Sequence, residues 1–201
     1  MKVRYSYLKQ QFSNSPDLWK KLKDFVDTGD FTLGKPLEIF EKKFAKLIGT
    51  KYAVGVNSGT DAIKLSLKTI GIKPGDEVIT AANTFVATVG AICELGAIPI
   101  FVDCDDSFCM DTSLVEKKIT KKTKAIVPVH FTGYMTDMIK LNKIAKKYNI
   151  PVVEDACQSI LASINKKNSG TWSDFGAFSL HPLKNINVWS DGGVIVTNRK
   201  K

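Results

Sequence analysis

A chain of 201 residues with an apolar fraction of 44% has room for one large domain or two small ones, with a real buried core. The net charge of +9 comes from lysines scattered through "KKLKDF", "EKKFAKL", "EKKITKKTK" and "KIAKKYN", each on the polar side of an amphipathic segment, which describes solvated helix faces rather than a surface for nucleic acid or membrane. Four cysteines without a Cys-x-x-Cys pair point to reduced thiols in the cytoplasm, "MKVRYSYLKQQF" lacks the apolar core of a signal peptide, and no apolar run approaches the roughly 20 residues of a membrane span.

In chain order, "SPDLWKKLKDFVDTG" and "LEIFEKKFAKLIG" predict two amphipathic helices joined by the turn-rich "DFTLGKP", an N-terminal helical arm over residues 1–50. From residue 51 to 201, strand-like runs alternate with helical patterns. "YAVGVN" precedes "DAIKLSLKTIG", "DEVITAA" precedes "TFVATVGAICELG", and "IPIFVD" precedes "TSLVEKKI". "KAIVPVHF" precedes "MTDMIKLNKIAKKYN", and "IPVVEDA", "GAFSL" and "GGVIVT" complete the series, with Gly and Pro at the joints. Short apolar runs separated by helices predict an α/β domain with a mostly parallel sheet covered on both faces.

Such sheets bind ligands beyond the carboxyl ends of their strands. The residues there are Asn57-Ser58-Gly59-Thr60, Ala82-Asn83-Thr84-Phe85, His130, Asp155 and Lys184. In "VNSGTDAI" a helix start offers free N–H groups to a phosphate, Gly59 permits close approach, and the Ser58 and Thr60 hydroxyls could donate; plain N-capping is the alternative. Asp155, ending "IPVVEDA", is either a salt-bridge or solvated loop acid, or a partner for the nitrogen of a pyridine ring, with Gln158 near the ring hydroxyl. Phe85 is a core residue or a ring-stacking one, and His130 is structural or catalytic. Lys184 lies in a polar segment between two apolar runs, in "FGAFSLHPLKNINVWSDGGVIVT". It is a surface charge, or an amine that bonds an aldehyde once desolvation and nearby positive charge favour its neutral form. Ser179, five residues earlier, could offer its hydroxyl to a phosphate.

The segments "NSGTDAIKLSL", "GDEVITAANTFVATVGAICELGAIPIFVD", "AIVPVHFTGYMTDM", "IPVVEDACQS" and "GAFSLHPLKNINVWSDGGVIVT" together resemble the large domain of the DegT/DnrJ/EryC1/StrS family. These are sugar aminotransferases of the aspartate aminotransferase fold (fold type I) that use pyridoxal 5'-phosphate. The resemblance runs from about Phe31 to the last residue. It implies a three-layer α/β/α fold, with residues 51–201 as an incomplete cofactor-binding large domain and the C-terminal small domain absent, since relatives continue for nearly as many residues again. Lys184 becomes the lysine that holds the cofactor as a Schiff base and moves the proton. Asp155 becomes the partner of the ring nitrogen, Gln158 a neighbour of the ring hydroxyl and Phe85 the stacking aromatic. Gly59, Thr60 and Ser179 become phosphate ligands, with Asp61 beside them and Ser58 retained as a candidate. No metal is implied.

The activity implied is transfer of an amino group, commonly from glutamate, to a keto sugar of a nucleoside diphosphate, in polysaccharide biosynthesis, by a cytoplasmic homodimer in which each phosphate also meets the partner chain. Lysine at 184 favours transamination over dehydration, because relatives that dehydrate sugars carry histidine there. "VWSDGG" is one residue longer than the common Gly-Glu-Gly-Gly ending and is similar to a branch acting on 3-keto sugars, with Ser190 where glycine is usual. The alternatives are a non-catalytic cofactor-binding fragment, a sugar dehydratase relative, a fold type I enzyme acting on amino acids, and a regulator binding nucleic acid. The last would need clustered Arg and Lys with interleaved aromatics, which the sequence lacks.

Overall fold

The computed structural model of the chain describes residues 3, 5–13 and 15–199. Three helices come first: α1 (Leu8–Phe12), α2 (Pro16–Thr28) and α3 (Lys35–Ile48). Both long helices carry proline in the first turn, where a missing N–H costs nothing. α3 stops at Gly49, whose φ of 94° suits glycine and lets its N–H reach Ala45 O. α2 buries none of its residues, whereas α3 buries Phe44, Ala45 and Ile48.

The remaining elements alternate as the apolar runs predict: β1 (Tyr52–Val56), α4 (Gly59–Thr69), β2 (Glu77–Ala81), α5 (Val86–Cys93), β3 (Ile98–Val102), α6 (Thr112–Lys118), β4 (Thr123–Val127), α7 (Met138–Tyr148) and β5 (Val153–Asp155). A small hairpin, β6 (Ser163–Ile164) and β7 (Lys167–Asn168), precedes β8 (Phe175–Ser179) and β9 (Gly193–Thr197). The strands pair in the order β1-β9-β8-β5 and β3-β2-β4, and bridges Ile126↔Val152 and Val129↔Asp155 join the two groups into one sheet. β2 is parallel to β3 and β4, and β5 is parallel to β8. β9 alone runs against both of its neighbours. The sheet is therefore mostly parallel, with one reversed strand that the sequence reading did not foresee. The reason lies in residues 180–192, which form no helix; a parallel return needs a crossover, usually helical, so the chain turns back as a wide hairpin.

Side chains of a strand alternate between faces, and both faces are buried. Val78, Val127, Val153 and Ala177 pack with Ile63, Leu67 and Ile92 from α4 and α5. Ile79, Ile126 and Val152 pack with Val115, Met138 and Leu141 from α6 and α7. Phe178, Val194 and Val196 meet Phe44 and Ile48 of α3. This is a three-layer α/β/α arrangement. The lysines of α6 and α7 are exposed, as their spacing predicts. Among the described residues no helix is long and apolar enough to cross a membrane.

Leu141 is fully buried between α7 and the sheet. Leu141→Ala is expected to lower the stability of the chain by about 2–5 kcal/mol, whereas Lys143→Ala on the exposed side changes it by less than ~0.5 kcal/mol, both read from urea denaturation.

Candidate active site

The site forms where strands β1, β5 and β8 and the end of β2 deliver their carboxyl ends. Ser58 caps α4: its Oγ accepts from Asp61 N at 3.1 Å. The capping alternative is thus realised, and Ser58 lines the cleft as well. The first N–H groups of α4 have no carbonyl in their own helix, which leaves donors and a positive dipole end facing the cleft at Gly59 and Thr60. Two glycines allow this approach. A Cβ on Gly59 would stand 2.8 Å from both Cys157 Sγ and Ser179 Cβ, and one on Gly193 would overlap the Ser58 carbonyl. The start of α4 is therefore pressed against the ends of β8 and β9, beside the Ser179 hydroxyl. Asp61 does not line the cleft: its carboxylate pairs with Lys64 at 2.8 Å. Two residues along a helix is a turn of about 200°, which rotates Asp61 away from Gly59.

β5 ends in two acids that alternation sends to opposite faces. Asp155, only 6% exposed, faces the cleft. Its Oδ2 accepts from Thr88 Oγ1 at 2.7 Å and its Oδ1 from Cys157 N at 3.1 Å, bonds that satisfy and orient a buried carboxyl group. Thr88 in turn meets Thr84 Oγ1 at 2.7 Å. The sequence reading missed Thr88, which lies in the first turn of α5 and is reached by Thr84 from the segment before that helix. Glu154, fully buried, accepts instead from Gly170 N, Trp172 N, Ser173 Oγ and His130 Nε2. His130 is itself fully buried, and its Nδ1 accepts from Thr136 N at 3.3 Å, so it takes the structural alternative.

Gln158, Phe85 and Lys184 also border this cleft, whereas Asn57, Ala82, Asn83 and Thr84 do not line it. Gln158 Nε2 donates to Phe131 O at 2.7 Å while its side chain borders the cleft. Phe85, at the N-cap of α5, is 61% exposed at the cleft wall. Lys184 follows a turn closed by its N–H to His181 O at 2.8 Å, and lines the same cleft as Asp155. The cleft encloses about 370 Å³. Wider depressions of about 620 and 760 Å³ lie around Ile70, Lys121 and Tyr148 and around Asp105 and Tyr134, but neither gathers hydroxyls, a buried carboxylate and an amine. Burial first, and then the Asp155 carboxylate, push the Cys157 thiol well up, which keeps it protonated and inert at neutral pH. The arrangement can hold an anion at the α4 start, a cationic or protonated ring nitrogen at Asp155, and an electrophilic carbonyl at Lys184.

The family model described as the DegT/DnrJ/EryC1/StrS aminotransferase family matches residues 14–201. Among curated proteins, the chain is 41% identical over 195 residues to the dTDP-3-amino-3,4,6-trideoxy-alpha-D-glucose transaminase of Micromonospora megalomicea, covering 96% of this chain and 52% of that one. It is 43% identical over 173 residues to the UDP-N-acetyl-3-dehydro-alpha-D-glucosamine 3-aminotransferase of Acidithiobacillus ferrooxidans, covering 86% and 47%. The crystal structure of ntda from Bacillus subtilis with bound cofactor PMP superimposes with a TM-score of 0.93 at 38% identity, covering 99% of this chain and 46% of that one. The chain spans about half the length of the curated relatives it matches.

Cys93 is exposed and Cys157 is tucked between Gly59 and Asp155. Alkylation with iodoacetamide at neutral pH is expected to label Cys93 well before Cys157, read by peptide mass spectrometry; equal labelling of the two would contradict the buried, protonated thiol.

Proposed function

The chain belongs to the DegT/DnrJ/EryC1/StrS aminotransferase family, and from that premise we propose that its cleft holds pyridoxal 5'-phosphate on Lys184 and that the whole protein transfers an amino group from glutamate to a 3-keto sugar of a nucleoside diphosphate. The donor set fits the cofactor. A cradle at the α4 start, open only because Gly59 and Gly193 lack side chains, offers N–H groups and the Ser58, Thr60 and Ser179 hydroxyls to a phosphate. A buried carboxylate, Asp155, faces the position of a ring nitrogen, and Gln158 and Phe85 border the space a ring would fill. The observation that carries the reading is that Asp155 and Lys184, 29 positions apart in sequence, line one cleft.

When bound, the cofactor supplies an aldehyde that condenses with amines and a protonated ring that draws electrons from the bond being broken. The residues of this chain do the rest. Asp155 keeps the proton on the ring nitrogen, and its own charge is oriented by Thr88 and the Cys157 N–H. Lys184 Nζ would hold the cofactor at rest and, when free, would take a proton at Nζ and give it back. The 3-keto substrate is supported by the names of the two sugar-modifying relatives, both of which act at sugar C3. Lysine rather than histidine at 184 supports transfer over dehydration. Four unpaired cysteines support a reducing, cytoplasmic setting. The family resemblance supports a homodimer, in which the partner chain completes the phosphate site.

Purified protein given pyridoxal phosphate is expected to develop a visible absorption band, and borohydride is expected to fix the cofactor on Lys184 by peptide mapping. A trapped adduct on another lysine, or none on a folded sample, would end the proposal. Lys184→Ala is expected to lose the adduct and to slow amino transfer, followed as 2-oxoglutarate released from glutamate, by at least ~10²–10⁴-fold.

A further inference from the structure

Glu154 lies on the side of β5 away from the cleft, and its fully buried partner His130 borders the cleft while turning its ring to Glu154; the pair plays no part in the chemistry above. We propose that His130 is a positioning residue for the Asp155 carboxylate, holding the end of β5 in register so that Asp155 meets the cofactor ring; the inference rests on the reading of the cleft as a pyridoxal phosphate site.

The seam between β4 and β5 is weak. The regular ladder of β4 ends at Val127, and Pro128 has no N–H to continue it. β5 is only three residues long. Past Val127, Asp155 N donates to Pro128 O at 2.9 Å and His130 N donates to Asp155 O at 3.1 Å. The side chain of the same His130 then reaches the preceding residue, with Nε2 3.2 Å from Glu154 Oε2. One residue thus grips two successive residues of β5, by main chain at Asp155 and by side chain at Glu154. Because Nδ1 accepts from Thr136 N, the ring proton sits on Nε2 and is donated to Glu154. The remaining bonds of Glu154 go to Gly170, Trp172 and Ser173 in the loop before β8, so the carboxylate is anchored to one strand neighbour and His130 ties it to the other.

This geometry separates positioning from folding. Without the imidazole, Glu154 keeps three donors, so the loop it holds stays in place, while β5 loses its side-chain tie to β4. Asp155 then keeps its main-chain bonds and those from Thr88 and Cys157 N, but on a strand end less firmly set relative to the ring nitrogen. A ring that loses its proton no longer repels a proton from the nitrogen bonded to Lys184, and that nitrogen titrates at higher pH. Besides Asp155 and His130 itself, the titratable groups lining the cleft, Tyr5, Cys157, His181, Lys184 and Asp191, are untouched by the change.

The test uses the full chain loaded with pyridoxal phosphate, and reads the pH midpoint of the visible band of the Lys184-bound cofactor together with its dissociation constant. His130→Phe is expected to move the midpoint upward by roughly one unit, the scale on which a displaced neighbouring charge acts, and to weaken binding about tenfold. His130→Gln, whose amide N–H can take the place of Nε2–H, is expected to restore both. Should His130→Phe fail to fold, His130→Asn replaces it, since it offers Thr136 an acceptor but does not reach Glu154. A wild-type midpoint and affinity in His130→Phe or His130→Asn overturns the inference, as does a Gln variant no closer to wild type than the Phe variant. If the wild-type chain itself forms no adduct on Lys184, the cofactor reading fails first and takes this one with it.

Discussion

A single buried carboxylate organises the cleft. Burying a carboxyl group is costly unless its lone pairs are met, and Asp155 is met by one hydroxyl and one main-chain N–H, with lone pairs left over to accept from a ligand. Those two donors come from α5 and from the turn after β5, so the acid, the helix over it and the strand beneath form one unit. The next residue back, Glu154, solves the same problem on the other face with four donors. Two adjacent acids on a three-residue strand are tolerated because alternation gives each its own set of partners.

The second constraint is steric. The start of α4 must lie close to the ends of β8 and β9 if its N–H groups are to share a ligand with Ser179. Gly59 and Gly193 make that approach possible, and the reversed direction of β9 is what brings Gly193 to the carboxyl end of the sheet at all. The long hairpin loop before it carries Lys184 across the same opening. Asn187 steadies this loop with a bond from Nδ2 to Pro182 O at 2.9 Å, and Trp189 packs on Trp19 of α2 with ring centroids 5.0 Å apart. The N-terminal helices are therefore in contact with the segment that bears the amine, even though α2 buries no residue of its own.

Much of the fold was legible in the one-dimensional pattern. Every apolar run from "YAVGVN" to "GGVIVT" became a strand and every amphipathic stretch between them a helix, because burial on two faces demands continuous apolar runs and burial on one face demands a 3.6-residue period. The two-residue hairpin turn at Asn165 and Lys166, both at positive φ, went unread because its strands are too short to show a pattern. The direction of β9 was also unread: an apolar run is the same in either orientation, and only the absence of a helix in residues 180–192 decides it.

At the site, the sequence alone determined which residue types stand at the strand ends: Ser58, Gly59, Thr60, Phe85, Asp155, Gln158, Ser179 and Lys184, with lysine rather than histidine at the last position. Local patterning suffices for this, since strand ends and turns are set by neighbours a few residues away. Only the tertiary structure decided which of those residues share one cleft, that Asp61 turns aside to Lys64, that Thr88 rather than a loop residue steadies Asp155, and that His130 closes on Glu154. Each of these is a contact between elements whose spacing along the chain carries no signal, because hydrogen bonds and charge pairs across a sheet depend on strand order, direction and register, and these are settled only when the layers pack.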